Sequence, residues 1–265
     1  MGPDHPQLEI YNESKHGIAF RANIDKMNLD NSKWVVGTDY NAAPTCATCH
    51  MSATSNQPIT HDVGLRISWN NRPIKSIRPE VSDAKLDFLV QKKMANTPEN
   101  MVDVCTNCHN QTYVNAFYQQ YDSLIELYHE KFADPGIKLM NLAKPLLQPV
   151  DFSNKIDFIW FEIWHHEGRR ARHGASMMAP DYTHWHGTYE VAKHFYTKLI
   201  PEIEHLIEKG LASKDGKKVD AAKKLQKGLD EVLASDNHKW FIGKMSEKEK
   251  KVREKRAEEF KKRYK

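Results

Sequence analysis

Cys46-Ala47-Thr48-Cys49-His50 and Cys105-Thr106-Asn107-Cys108-His109 contain all four cysteines of the chain. Both read C-x-x-C-H, the attachment signature of c-type haem. Two thiols three residues apart can add to the two vinyl groups on one porphyrin edge. The histidine that follows then sits under the iron as its proximal ligand, and imidazole suits either oxidation state of iron. A four-cysteine zinc site uses pairs about 12–20 residues apart, and Cys49 and Cys105 are much further apart than that. A thioredoxin-like pair wants a βαβ context, and the sequence offers none. Structural disulfides stay open. None of these alternatives accounts for His50 and His109, so the expectation is two covalently bound haem c groups. Attachment of this kind takes place outside the cytoplasm, which predicts an exported, periplasmic or equivalent location.

Each iron needs a sixth ligand or keeps an open position, and the chain has 14 histidines to supply one. His61 follows His50 closely, in Thr60-His61-Asp62-Val63-Gly64. His16, His173 and His186 are each followed directly by glycine, which can let a flat macrocycle approach the backbone. These four are the candidate distal ligands. His165 and His166 are weaker candidates, and His166 lies seven residues before His173 on a helical face. His129, His194, His205 and His238 read as ordinary surface or helix histidines, as does His5 with less clarity. More candidates than two haems can use implies further haems on a missing segment or a partner.

Composition narrows the class. With 10 Tyr, 10 Phe and 6 Trp, the chain is too aromatic to be disordered. No stretch approaches the roughly 18–20 apolar residues of a membrane span. The net charge of +4 comes from the tail after residue 243, and the rest is slightly acidic. That is a solvated helix end, not the basic, aromatic-interleaved face of a nucleic-acid binder. The first residues have neither the basic nor the apolar part of an export signal.

Three regions follow from local pattern. Residues 1–112 are loop-rich and hold both cysteine motifs, with one short helix expected over Asp83 to Ala95. Residues 113–243 are helical in pattern. Segments are expected over Tyr113 to Ala133, ended by Asp134-Pro135-Gly136, and over Ile137 to Leu147. Another runs from an Asn154 cap to about Arg172, broken from Met177 with Pro180 as the stop. The next runs from about Thr183 to Leu211, kinked or divided at Pro201, and the last covers Val219 to Ser235. Residues 244–265 form a charged helix opened by a Ser246–Glu249 capping box. The fold class expected is mainly α: a loop-rich haem-binding region followed by a bundle of long helices. Multihaem cytochromes c often look like this, because haems replace much of the apolar core.

The ordered set of Cys46 to His50, Thr60 to Gly64, Cys105 to His109, Glu167 to Gly174 and Met177 to Gly187 resembles the hydroxylamine oxidoreductase family of octahaem cytochromes c. That family includes the hydrazine dehydrogenases of anaerobic ammonium oxidisers. The resemblance spans nearly the whole chain and is to the C-terminal half of such proteins. It implies that Met1 is an internal residue and that six further haems, the catalytic one included, belong to a missing first half, eight in all. His16 could then serve a haem of that half. The family is similar in forming homotrimers, in which a tyrosine bonds covalently to the neighbouring subunit's catalytic haem. Tyr182 is the candidate for this role by position, with Tyr189 in reserve. The implied activity is oxidation of a small nitrogen compound, hydroxylamine or hydrazine. The haems held here would be bis-His and would pass electrons to a small acceptor cytochrome c. Two alternatives stand beside it: a stand-alone dihaem electron-transfer subunit of a larger multihaem complex, and a nitrite-reducing octahaem relative.

Overall fold

Ser14 ends one helix and starts the next. Its backbone N–H donates to the carbonyls of Ile10 and Tyr11, closing α1 (Gln7–Glu13). Its hydroxyl accepts from the Gly17 N–H at 3.1 Å, opening α2 (Lys15–Asn23). This is N-capping by a short polar side chain, here fully buried. In the computed structural model, which describes residues 5–32, 43–66 and 97–263, the N-terminal region is therefore short helices and turns rather than bare loop. It continues with α3 (Cys46–His50), a 3₁₀ turn at Val63–Arg66, and α4 (Thr97–Cys105). The helix expected over Asp83 to Ala95 lies outside the described residues.

Longer helices follow. In α5 (Gln111–Tyr128), the Asn110 side chain accepts from the Tyr113 N–H at 2.8 Å, and Val114, Tyr121, Ile125 and Tyr128 form the buried stripe. A π-helical turn at His129–Ala133 leads into α6 (Asp134–Ala143). Asp134-Pro135-Gly136 was expected to stop a helix, yet it opens one. Pro135 removes one N–H from a helical run that continues from the preceding turn, where the Asp134 N–H bonds the His129 carbonyl. The same device recurs at Pro201. A π-helical turn at Phe195–Leu199 precedes α11 (Ile200–Leu211), the intervening elements being given below. In both cases the carbonyl four residues before the proline, the one its ring would strike, lies inside a π-helical turn, so the chain stays helical.

Between these lie α7 (Lys155–Phe161), a π-helical turn at Glu162–Glu167, and α8 (Gly168–Ser176). Asn154, the expected cap, bonds the Gln148 backbone both ways, accepting at 2.9 Å and donating at 3.1 Å. α8 ends as expected near Met177, with Met178 left-handed at φ 60°. Pro180 does not stop a helix but starts α9 (Pro180–Thr183). A π-helical turn at His184–Thr188 and α10 (Tyr189–His194) follow. After α11 come α12 (Gly216–Ala234), capped by Asp215, and α13 (Glu247–Arg263). Among the described residues there is no strand.

Packing divides the chain into two compact units. The first is Met1–Asp134 with Lys155–Leu199, and the second is Pro135–Asn154 with Ile200–Lys265. In the first unit, Phe132 meets Phe195 edge-on at 5.4 Å, and Ile10 packs with Ala179 and Tyr182. In the second, α11 packs on α12, with Ile203 and Ile207 of α11 and Leu225 and Leu229 of α12 buried. α13 buries nothing, and the Ser246–Glu249 capping box forms as expected, at 2.8 and 3.3 Å.

Candidate haem-binding site

Thr45 and Thr48 set the first motif on a helix. Thr45 Oγ1 accepts from the Thr48 N–H at 3.3 Å, and Thr48 Oγ1 accepts from the Thr45 N–H at 2.9 Å. This reciprocal cap buries Thr48, the residue inside the motif that precedes Cys49, and fixes the one-turn spacing of Cys46 and Cys49. Arg66 closes the other end. Only 1% exposed, it donates to the carbonyls of Cys49 at 3.3 Å and Ser52 at 2.5 Å. A cation here meets carbonyls that a helix end leaves unpaired. Burial, then Cys105 and Cys46, push the Cys49 thiol up to about 12, and burial pushes Cys105 up to about 11. No disulfide joins Cys46, Cys49, Cys105 and Cys108 in this geometry.

Asp103 ties the two motifs together. Its carboxylate accepts from Thr54 Oγ1, Asn56 Nδ2 and Gln57 Nε2, each at 2.5 Å. Its own carbonyl accepts from Thr106 Oγ1 at 2.9 Å and Asn107 Nδ2 at 2.8 Å, both inside the second motif. The loop after the first motif is thereby locked to the helix that delivers the second. Burial raises the Asp103 pKa, but the hydrogen bonds from Thr54, Gln57 and Asn56 outweigh it and hold the carboxyl below its ordinary value.

The structure brings His16 and His109 close together, with their rings tilted. Their ring centroids are 6.1 Å apart and their planes differ by 37°. Two imidazoles on opposite sides of one metal ion, each bonded at about 2 Å, have centroids roughly 6 Å apart. The pair therefore fits an iron held between them, and Cys105 and Cys108 lie within the same turn as His109. Burial, then His109 itself, push the His16 pKa down, so the imidazole is kept neutral as ligation requires. Tyr113 stacks on His109 at 4.7 Å and fixes its plane.

The other candidates fall in different surroundings. His50 is partly buried, and burial lowers its pKa against a hydrogen bond to the Val63 backbone. His61 is exposed in the turn before Val63. His173 is held down to about 4 by burial, then by Arg172 and Arg169. His165 stacks on Phe161 at 4.3 Å, and His166 is partly buried in the same π-helical turn. His186 is exposed and touches the Tyr182 ring at 4.9 Å. Tyr182 is 5% exposed and Tyr189 is 49% exposed. His129 and His238 are not surface residues but buried. The glycines after the three histidines have another use than expected. A Cβ on Gly17 would strike the Tyr11 carbonyl, one on Gly174 would lie 2.6 Å from Thr183 Oγ1, and one on Gly187 would lie 2.5 Å from Ala171 Cα. The space is filled by the chain's own backbone and side chains, not kept for a macrocycle.

Sequence reasoning passed over Arg66, Asp103 and the pair formed by Glu167 and His194. Only the Thr45-x-x-Thr48 spacing had a local signal. Glu167 Oε1 meets His194 Nδ1, and burial, then Glu190 and Glu162, push the Glu167 pKa up to about 7.

Residues 1–134, both cysteine motifs included, match the family described as "Seven times multi-haem cytochrome CxxCH". The chain belongs to this multihaem cytochrome family. Its members hold haem c covalently through C-x-x-C-H, and multihaem cytochromes c are generally extracytoplasmic. A relative among curated proteins is the "Probable nitrite reductase-hydroxylamine oxidoreductase fusion protein" of Kuenenia stuttgartiensis. It is 28% identical over 138 residues, which is 46% of this chain and 16% of the relative. Two solved structures share the multihaem fold. A Kuenenia stuttgartiensis "reducing HAO-like protein complex" is 18% identical, with TM-score 0.59 over 78% of this chain and 54% of that one. A "Hypothetical multiheme protein" is 22% identical, with TM-score 0.60 over 80% of this chain and 54% of that one. The multihaem chain thus spans about half the length of these structures and less of the curated relative. No helix among the described residues is long and apolar enough to cross a membrane.

Proposed function

We propose that this multihaem chain is the C-terminal part of an octahaem oxidoreductase of hydroxylamine or hydrazine, and that its own two haems relay electrons to a small acceptor cytochrome c. The observation that supports a relay role is the close pair of His16 and His109, with ring centroids 6.1 Å apart. His109 and His16 would together hold the second haem, which would then carry electrons rather than take up substrate. Haem c, when bound, supplies reversible one-electron transfer. The chain's residues do the holding. Cys46 and Cys49, and Cys105 and Cys108, make the thioethers, and His50 is the proximal ligand of the first haem. His61, His173 and His186 remain proposed distal ligands, within this chain or toward its neighbours, with His165 and His166 behind them. Arg66 and Asp103 keep the two motifs in fixed relation, which a relay needs because electron transfer depends on the spacing of the two irons.

Tyr182 is proposed as the residue that bonds the catalytic haem of a neighbouring subunit in a homotrimer, with the exposed Tyr189 in reserve. A second reading, nitrite reduction, is favoured by the name of the curated relative, which joins both chemistries. A haem-stained denaturing gel of the protein from its source, with intact mass on the band, tests the assignment. An eight-haem chain that stays trimeric in detergent through a Tyr182–haem bond is expected. An eight-haem chain that separates into monomers supports nitrite reduction. A band at the mass of this chain with two haems overturns both and leaves a dihaem electron-transfer subunit.

A further inference from the structure

We infer that Glu162, Glu167 and His194 form a binding site for one divalent transition-metal ion, of the zinc type, separate from the haems. One ligand atom from each lies within 4.8 Å of the others. The π-helical turn Glu162–Glu167 makes this possible, because its i→i+5 repeat stacks residues five apart that an α-helix would turn away from each other. His194 comes from α10, which packs on that turn.

Glu167 gives the independent sign of a ligand. It is 4% exposed, its Oε1 meets His194 Nδ1, and its Oε2 is buried with no hydrogen-bond partner. A buried carboxylate oxygen left bare is costly, and a cation at this point would meet it. One imidazole nitrogen and two carboxylates are a donor set for zinc and its neighbours, with water completing the tetrahedron, whereas calcium and magnesium prefer oxygen alone. Lys198 now bonds Glu162 at 2.9 Å. Its side chain is 41% exposed and can swing out to solvent when a metal arrives. Such an ion would clamp the helical run that holds His165, His166 and His173 to the one that holds His184 and His186.

The test uses the full chain with both haems attached, stripped with a chelator and titrated with Zn²⁺ alone by calorimetry. Metal content is read against haem iron by elemental analysis. One saturable Zn²⁺ per chain is expected, with a rise in melting temperature. Glu162→Gln and Glu167→Gln should each weaken binding at least tenfold and abolish the rise, while Lys198→Met, which frees Glu162, should tighten binding. Glu162 is partly exposed, so its variant keeps the test open if the Glu167 variant fails to fold. Absence of saturable binding overturns the inference, and so does binding that Glu162→Gln and Lys198→Met leave unchanged, since that would place the ion on other histidines.

Discussion

At the residue scale, two side chains without a sequence signature decide whether the haem motifs hold their places. Arg66 is buried with its guanidinium on the Cys49 and Ser52 carbonyls. Arg66→Met should cost about 2–3 kcal/mol, the size of a charged hydrogen bond whose partners are left buried and bare. Urea unfolding of the haem-loaded chain, followed in the Soret band, measures it, and an unchanged midpoint would remove Arg66 from the account. Asp103 makes a pH prediction. Its folded pKa lies below the ordinary aspartate value, because the hydrogen bonds from Thr54, Gln57 and Asn56 outweigh burial. The unfolded chain therefore binds its proton first as pH falls, so the stabilisation is complete above the unfolded value and is lost as pH falls through the folded one. Asp103→Asn should flatten that acid limb of stability against pH, and a limb of the same slope in the variant would contradict the assignment. The two C-x-x-C-H motifs were legible because covalent haem attachment demands a fixed local spacing. Arg66 and Asp103 were not, because their partners are backbone groups and amides brought near only by the folded loops.

At the element scale, the long helices after residue 112 were legible, while the short N-terminal ones and most helix starts were not. The stripe of Val114, Tyr121 and Ile125 has helical period, and the Ser246–Glu249 cap reads directly from sequence. Pro135, Pro180 and Pro201 were read as stops or kinks, yet each lies in the first turn of a segment, and for Pro135 and Pro201 a π-helical turn absorbs the misfit. Local propensity cannot reveal that, since what selects a π-helical turn is packing on the facing helix. The glycines teach the same lesson. Gly187 lies where α8 and the His184–Thr188 turn touch, so Gly187→Ala should force them apart and cost about 1–3 kcal/mol. Ala171→Gly in the same chain should recover little of the loss, because the new methyl group strikes the Ala171 Cα and N, which glycine keeps. Denaturant midpoints of the two variants decide this, and full stability of Gly187→Ala alone would refute it.

At the scale of the whole molecule, the chain is a multihaem cytochrome whose apolar surface is not all inward. Trp185, Tyr189 and Phe158 are each about half exposed or more, and surfaces of that kind are covered in assemblies. The isolated chain with its haems should be poorly soluble and self-associate, as light scattering would record; a monodisperse monomer would contradict this. α13 buries nothing, so removing residues 246–265 should leave the unfolding midpoint of the remainder nearly unchanged. The central claim is that His16 and His109 close one haem from both sides. Electron paramagnetic resonance of the oxidised, haem-loaded chain, beside its His16→Met variant, tests it most directly. A low-spin bis-imidazole signal is expected in the parent, and in the variant it is replaced. Identical spectra from parent and variant would mean that His16 holds no iron in this chain.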